Sequence, residues 1–111
     1  MSGARLDPRV EMRIKSLLGR RVSGAVARAN EEIERACVIA AVIDRRWQVP
    51  PTKWRLKHVQ WFAAHGIPAE SAWQRYRYRL TLQRLLDAMG KPRGWRDRLP
   101  ANTPPSTRRA H

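Results

Sequence analysis

Apolar residues recur along this chain at helical rather than strand spacing, and Pro, Gly and cap residues cut the pattern into four helices. The first is expected to open at Asp7-Pro8, a cap followed by proline at the first helical position. It runs through Val10, Ile14, Leu17 and Leu18 to Gly19. The second has the strongest pattern: Val26, Ala29, Ile33, Ala36, Cys37, Ala40, Ile43 and Trp47 follow the candidate cap Ser23. Val38, Ile39 and Val42 widen that stripe, so its C-terminal half should be buried over much of its surface. Glu31, Glu32, Glu34 and Arg35 mark the outward side, and Val49-Pro50-Pro51 stops the helix.

Thr52 is positioned to cap a third helix carrying Trp54, Leu56, Val59, Trp61, Phe62 and Ala63, closed by Gly66. After the short Ile67-Pro68-Ala69-Glu70 connection, Ser71 or the earlier Pro68 opens a fourth. Trp73, Tyr76, Tyr78, Leu80, Leu82, Leu85, Leu86 and Met89 lie on it before Gly90. Pro92, Pro100, Pro104 and Pro105 then forbid a long helix, leaving one turn over Gly94 to Leu99 to dock Trp95 and Leu99. The expected fold is all-α, a small four-helix bundle-like domain. Its body covers 23–99, with a basic N-terminal arm and short helix over 1–22 and a flexible basic tail over 100–111.

Charge changes the picture more than length does. The 111 residues suit one domain, and 42% of them are hydrophobic, yet the formal net charge is +14. Self-repulsion at that charge disfavours the folded state, so a polyanionic partner is expected, and nucleic acid fits because each neutralised phosphate also releases counterions. Nineteen of the 23 basic residues are Arg, whose planar fork suits phosphate oxygens and guanine edges. A GC-rich coding sequence explains an Arg bias equally well but not the shortage of acids.

The excess is uneven. Residues 1–22 carry +4, 23–48 carry zero, 49–66 carry +3, 67–90 carry +2 and 91–111 carry +5. The second helix therefore reads as neutral scaffold, and the binding surface is expected on helices three and four and both arms. Lys53 and Lys57 are four apart, as are Arg75 and Arg79, and Arg77 and Arg84 lie two turns apart on another face. Like charges at such spacings favour an external anion over a merely solvated face. Trp54, Trp61 and Phe62, and Trp73, Tyr76 and Leu80, follow core spacing. Tyr76 or Tyr78 is the exception expected to point outward, where a phenol can bond a phosphate.

Other chemistry is sparse. The single cysteine, Cys37, falls on the apolar stripe and excludes a disulfide within the chain, which fits a reducing cytoplasm. No apolar run is long enough to cross a membrane, and no signal-peptide core opens the chain. His58 and His65 lie seven apart without cysteine or carboxylate partners, which suits surface or phosphate-contacting residues better than a zinc site. There is no glycine-rich phosphate loop and no nucleophile elbow. No cofactor, metal or enzymatic activity is expected.

The segment from Thr52 to Gly90 has a more particular likeness. It joins Thr-Lys-Trp-Arg-Leu-Lys-His-Val-Gln-Trp-Phe, a Gly-Ile-Pro turn, and Ser-Ala-Trp-Gln-Arg-Tyr-Arg-Tyr-Arg-Leu-Thr-Leu-Gln-Arg-Leu-Leu-Asp-Ala-Met-Gly. This resembles the helical core-binding domain of tyrosine recombinases, the integrases of phages and mobile elements. Arg75, Tyr76, Arg79 and Leu80 occupy that family's degenerate pattern, about a third of the chain being covered. The likeness implies a four-helix domain that clamps DNA. The catalytic domain of that family, with its Arg, His and Tyr set, has no room here, so what is implied is an accessory or regulatory protein of a mobile element.

The expected function is thus non-catalytic nucleic-acid binding, DNA preferred over RNA, in the cytoplasm and on the nucleoid. The contact residues expected are Arg5, Arg9 and Arg13 in the N-terminal arm, then Lys53, Arg55 and Lys57. On and after helix four they are Arg75, Tyr76, Arg77, Arg79, Arg84, Lys91 and Arg93, with Arg108 and Arg109 in the tail. Composition leaves two alternatives open: a helical RNA-binding subunit of a ribonucleoprotein such as a CRISPR effector, and an interaction protein docking on an acidic protein surface. Self-association through helix two, or membership of a larger complex, is compatible with each.

Overall fold

The computed structural model describes residues 7–19, 26–100 and 104–105. Arg5, Ser23, Arg108, Arg109 and most of the expected tail lie outside the described residues. The described chain is all-α: α1 (Pro8–Gly19), α2 (Val26–Trp47), α3 (Leu56–Trp61), α4 (Ala72–Ala88) and α5 (Gly94–Asp97). A 3₁₀ turn over Pro51–Lys53 precedes α3, and a π turn over Phe62–Gly66 extends it.

The helix ends show why these segments fold where they do. Asp7 caps α1, its carboxylate accepting the Arg9 N–H at 2.9 Å. α2 ends when Gln48 takes a left-handed conformation, φ 56°, ahead of Pro50-Pro51. α3 begins four residues later than its expected Thr52 cap. Thr52 sits inside the 3₁₀ turn, and Trp54 and Arg55 stay extended. The acceptor at this end is His58, whose Nδ1 takes the Arg55 N–H at 2.9 Å, the job a Glu performs in a capping box. Ser71 opens α4, accepting the Gln74 N–H at 3.4 Å. Gly90, φ 74°, closes it in a paired Schellman arrangement, with Lys91 N–H on the Leu86 carbonyl and Gly90 N–H on the Asp87 carbonyl.

One core joins all of this. Ile14 and Leu18 from α1, Ala36, Ile39, Ala40 and Ile43 from α2, and Leu82, Leu85 and Leu86 from α4 are buried together with Trp54, Val59, Phe62 and Ala63. The wide apolar stripe of α2 is taken up inside one chain, against α1, α4, α3 and the π turn. Trp95 and Leu99 pack on this core from the α5 turn, as the spacing predicts. Trp73 does not: it is 40% exposed on the first turn of α4, edge-on to Tyr76 at 5.8 Å. The first turns of α4 lie off the core, which the helix meets from Tyr78 onward, so Trp73 and Tyr76 share their helix but not its buried stripe. Tyr78, by contrast, packs on the core beside Phe62. Among the described residues no helix is long and apolar enough to cross a membrane.

Candidate nucleic-acid interface

The basic residues divide into those the protein uses internally and those it leaves outward. Glu32 anchors the internal group. It is 3% exposed, which corrects its expected place on the outer side of α2. Buried carboxylates need charge and hydrogen-bond partners, and α4 supplies both. Arg84 reaches its two oxygens at 2.9 and 3.0 Å, and the Thr81 hydroxyl donates to it at 3.0 Å. Arg35 Nε donates to the same Thr81 oxygen at 3.0 Å, so Arg35 is also drawn inward.

Three other expected contact residues have work inside the fold. Arg79 donates to the Ala63 carbonyl through Nε at 3.3 Å and Nη2 at 3.1 Å, satisfying an oxygen at the π turn. Arg75 Nε donates to the Ala69 carbonyl at 2.9 Å. Lys91 Nζ donates to the Thr52 and Trp54 carbonyls at 3.4 and 3.3 Å and lies over the Trp95 ring. Burial lowers the Lys91 ammonium from its ordinary value. Arg77 and Arg93 are exposed and form no ion pair among the described residues.

The outward group forms a chain of neighbouring hollows. An apolar cleft of about 140 Å³ between α1 and the Pro50–Thr52 turn is edged by Arg9 and Arg13. Thr52 leads from it into a shallow hollow of about 540 Å³ lined by Lys53, Arg55, Lys57, Trp54 and His58. Lys53 and Lys57 meet here because a turn folds them around the hollow, not because they share a helix face. Lys57 Nζ lies 5.2 Å from the centroid of Trp47, and the Arg46 guanidinium sits 5.2 Å from Trp47 and 5.8 Å from Trp61. Beyond Trp61 is a third hollow of about 420 Å³, lined by Val42, Arg45, Arg46, Trp61, His65 and Gly66. No Asp or Glu lines any of the three.

Arg45 and Arg46 escape a segment-averaged charge count. Their helix sums to zero because Glu31, Glu32, Glu34 and Asp44 offset its four arginines. The signal was present in the dipeptide Arg45-Arg46 directly before Trp47, in the last helical turn, where cations also complement the helix dipole. Gly66 belongs to the same group for a steric reason. A Cβ there would meet the Trp61 indole at 2.8 Å, so glycine is required by the ring rather than by backbone conformation.

His58 is a structural residue, 5% exposed, and not the surface contact its spacing suggests. Burial first, then the charges of Lys57 and Arg55, push its pKa below the ordinary imidazole value, so the neutral ring that accepts the Arg55 N–H is favoured. Burial raises the Cys37 thiol, keeping it protonated. Among the described residues no group of three or more His, Cys, Asp or Glu is placed to hold a metal ion. No protein-family model, curated protein or solved structure matches this chain.

Proposed function

We propose that this is a non-catalytic nucleic-acid-binding protein that grips duplex DNA through its phosphates. The observation carrying this reading is the acid-free run of hollows from Arg9 and Arg13, past Lys53, Arg55 and Lys57, to Arg45 and Arg46. An anion with regularly spaced charges suits such a run better than a single small ligand does. Three side chains of the kinds recruited for catalysis are committed elsewhere: His58 caps α3, Glu32 is tied to Arg84 and Thr81, and Cys37 holds its proton. The likeness of Thr52 to Gly90 to recombinase core-binding domains supports an accessory role in a mobile element, acting in the cytoplasm on DNA. In this role Arg75, Arg79, Arg84 and Lys91 shape the surface, and Arg45 and Arg46 join the contact set.

The test is electrophoretic mobility shift across a salt series with duplex, single-stranded and RNA probes. The expected result is duplex binding whose affinity falls steeply with salt, by roughly a thousandfold or more between 50 and 200 mM if six or more phosphates are met. An affinity that barely moves over that range overturns the proposal.

A further inference from the structure

Resting on the nucleic-acid reading, we propose that the Trp47–Trp61 cluster is a clamp for the sugar-phosphate backbone of a duplex, with Arg46 and Lys57 as its jaws, and not a platform for stacking unpaired bases. Aromatic rings beside cations usually suggest the opposite, because single-strand binders stack bases on such rings. Here the ring faces are already in use. Trp47 carries two cations, Arg46 and Lys57, each 5.2 Å from its centroid. The His58 ring tilts against it at 5.1 Å, and Trp61 meets it edge-on at 6.5 Å and 86°. Arg46 also lies over Trp61.

A base that stacked on Trp47 would have to lift a cation from the ring, losing roughly 0.5–1 kcal/mol for each exposed contact. It would also push away the charge that attracts its own phosphate. A phosphate approaching from solvent displaces nothing. Arg46 and Lys57 are long side chains that ordinarily lose much rotamer freedom when they bind. Resting on an indole, they are ordered in advance, and preordered groups bind at lower entropic cost. The hollow beside Lys57 and His58 and the hollow beside Arg46 and Trp61 flank the cluster, placing its cations between two basic depressions. That arrangement suits a rigid backbone rail better than a flexible strand whose bases must find open rings.

Titration of the full chain with a 20-base-pair duplex and with oligo(dT) of equal length, monitoring mobility shift and tryptophan emission, tests this. The duplex is expected to bind about tenfold tighter at equal salt, with little change in emission, because no base–indole stacking contributes. Arg46→Ala and Lys57→Ala are each expected to lower the slope of log affinity against log salt by about one, and Arg46→Lys to restore it. Both positions are exposed, and a thermal melt checks that the variants stay folded. Oligo(dT) binding as tight as duplex with quenched emission overturns the clamp but keeps nucleic-acid binding. Unchanged slopes in both alanine variants with duplex binding intact overturn the location. Absence of binding to either probe overturns the underlying function as well.

Discussion

The two ends of α2 carry the same kinds of charge and use them in opposite ways. At the N-terminal half, Glu32 turns inward and is met by Arg84 and Thr81 from α4, with Arg35 completing the set. At the C-terminal end, Arg45 and Arg46 turn outward, and Arg46 rests on Trp47 and Trp61 with no carboxylate lining the hollow. Net charge per helix is therefore a poor guide to what a helix does. One end spends its charges on holding helices together, the other presents them.

The comparison is broken most severely by removing its internal half. Arg84→Ala leaves the Glu32 carboxylate buried with only the Thr81 hydroxyl beside it. The expected loss is about 2 kcal/mol in urea unfolding, less than for a fully buried pair because the Arg84 side chain is 52% exposed and its space admits water. Arg46→Ala should change stability by no more than about 0.5 kcal/mol in the same assay, as surface substitutions usually do. Equal losses in the two variants would abolish the distinction between the ends.

A smaller change sharpens it. Thr81→Val keeps the shape and removes the hydroxyl that accepts from Arg35 and donates to Glu32. The expected cost is about 1 kcal/mol, with the salt dependence of nucleic-acid binding unchanged. A reduced salt slope in this variant would mean that the internal network also sets the outer surface.

The smallest expected effect is a pH dependence. His58 has a folded-state pKa below its ordinary value of 6.5, so the unfolded chain binds the proton more readily than the folded one. Its contribution is fully present above pH 6.5 and is lost as pH falls from there toward the folded value. Chemical unfolding at pH 7.5 and pH 5 should show that decline in the natural chain and a weaker one in His58→Asn. A decline of equal size in both would remove His58 as its cause.

Much of the fold was legible in the spacing of apolar residues. The α1 cap at Asp7, the stripe of α2, the Ser71 cap and the docking of Trp95 and Leu99 all follow from rules that act within a few residues. The failures share a physical origin: each depends on how the backbone and the helices come together, which residue spacing alone does not show. Glu32 looks like an exposed glutamate until Arg84, 52 residues away, folds onto it. His58 looks like a surface histidine until the backbone before it extends and needs an acceptor. Trp73 has core spacing but sits on the turn of α4 that the core does not reach. The candidate interface was half visible. The basic run from Lys53 to Lys57 stands out in the sequence, whereas Arg45 and Arg46 were hidden by averaging, and Arg75, Arg79 and Lys91 gave no hint that backbone carbonyls would occupy them.

Gly66 makes one residue without charge or functional group a determinant of the charged surface. Any side chain there must move the indole of Trp61, and with it the ring on which Arg46 rests. Positions 66 and 61 should therefore vary together among relatives. Where 61 keeps a tryptophan, 66 should stay glycine, and a smaller residue at 61 should free 66 to change. A survey of substitutions that watched only arginines and lysines would overlook a position able to disarm this part of the surface while leaving every charge in place.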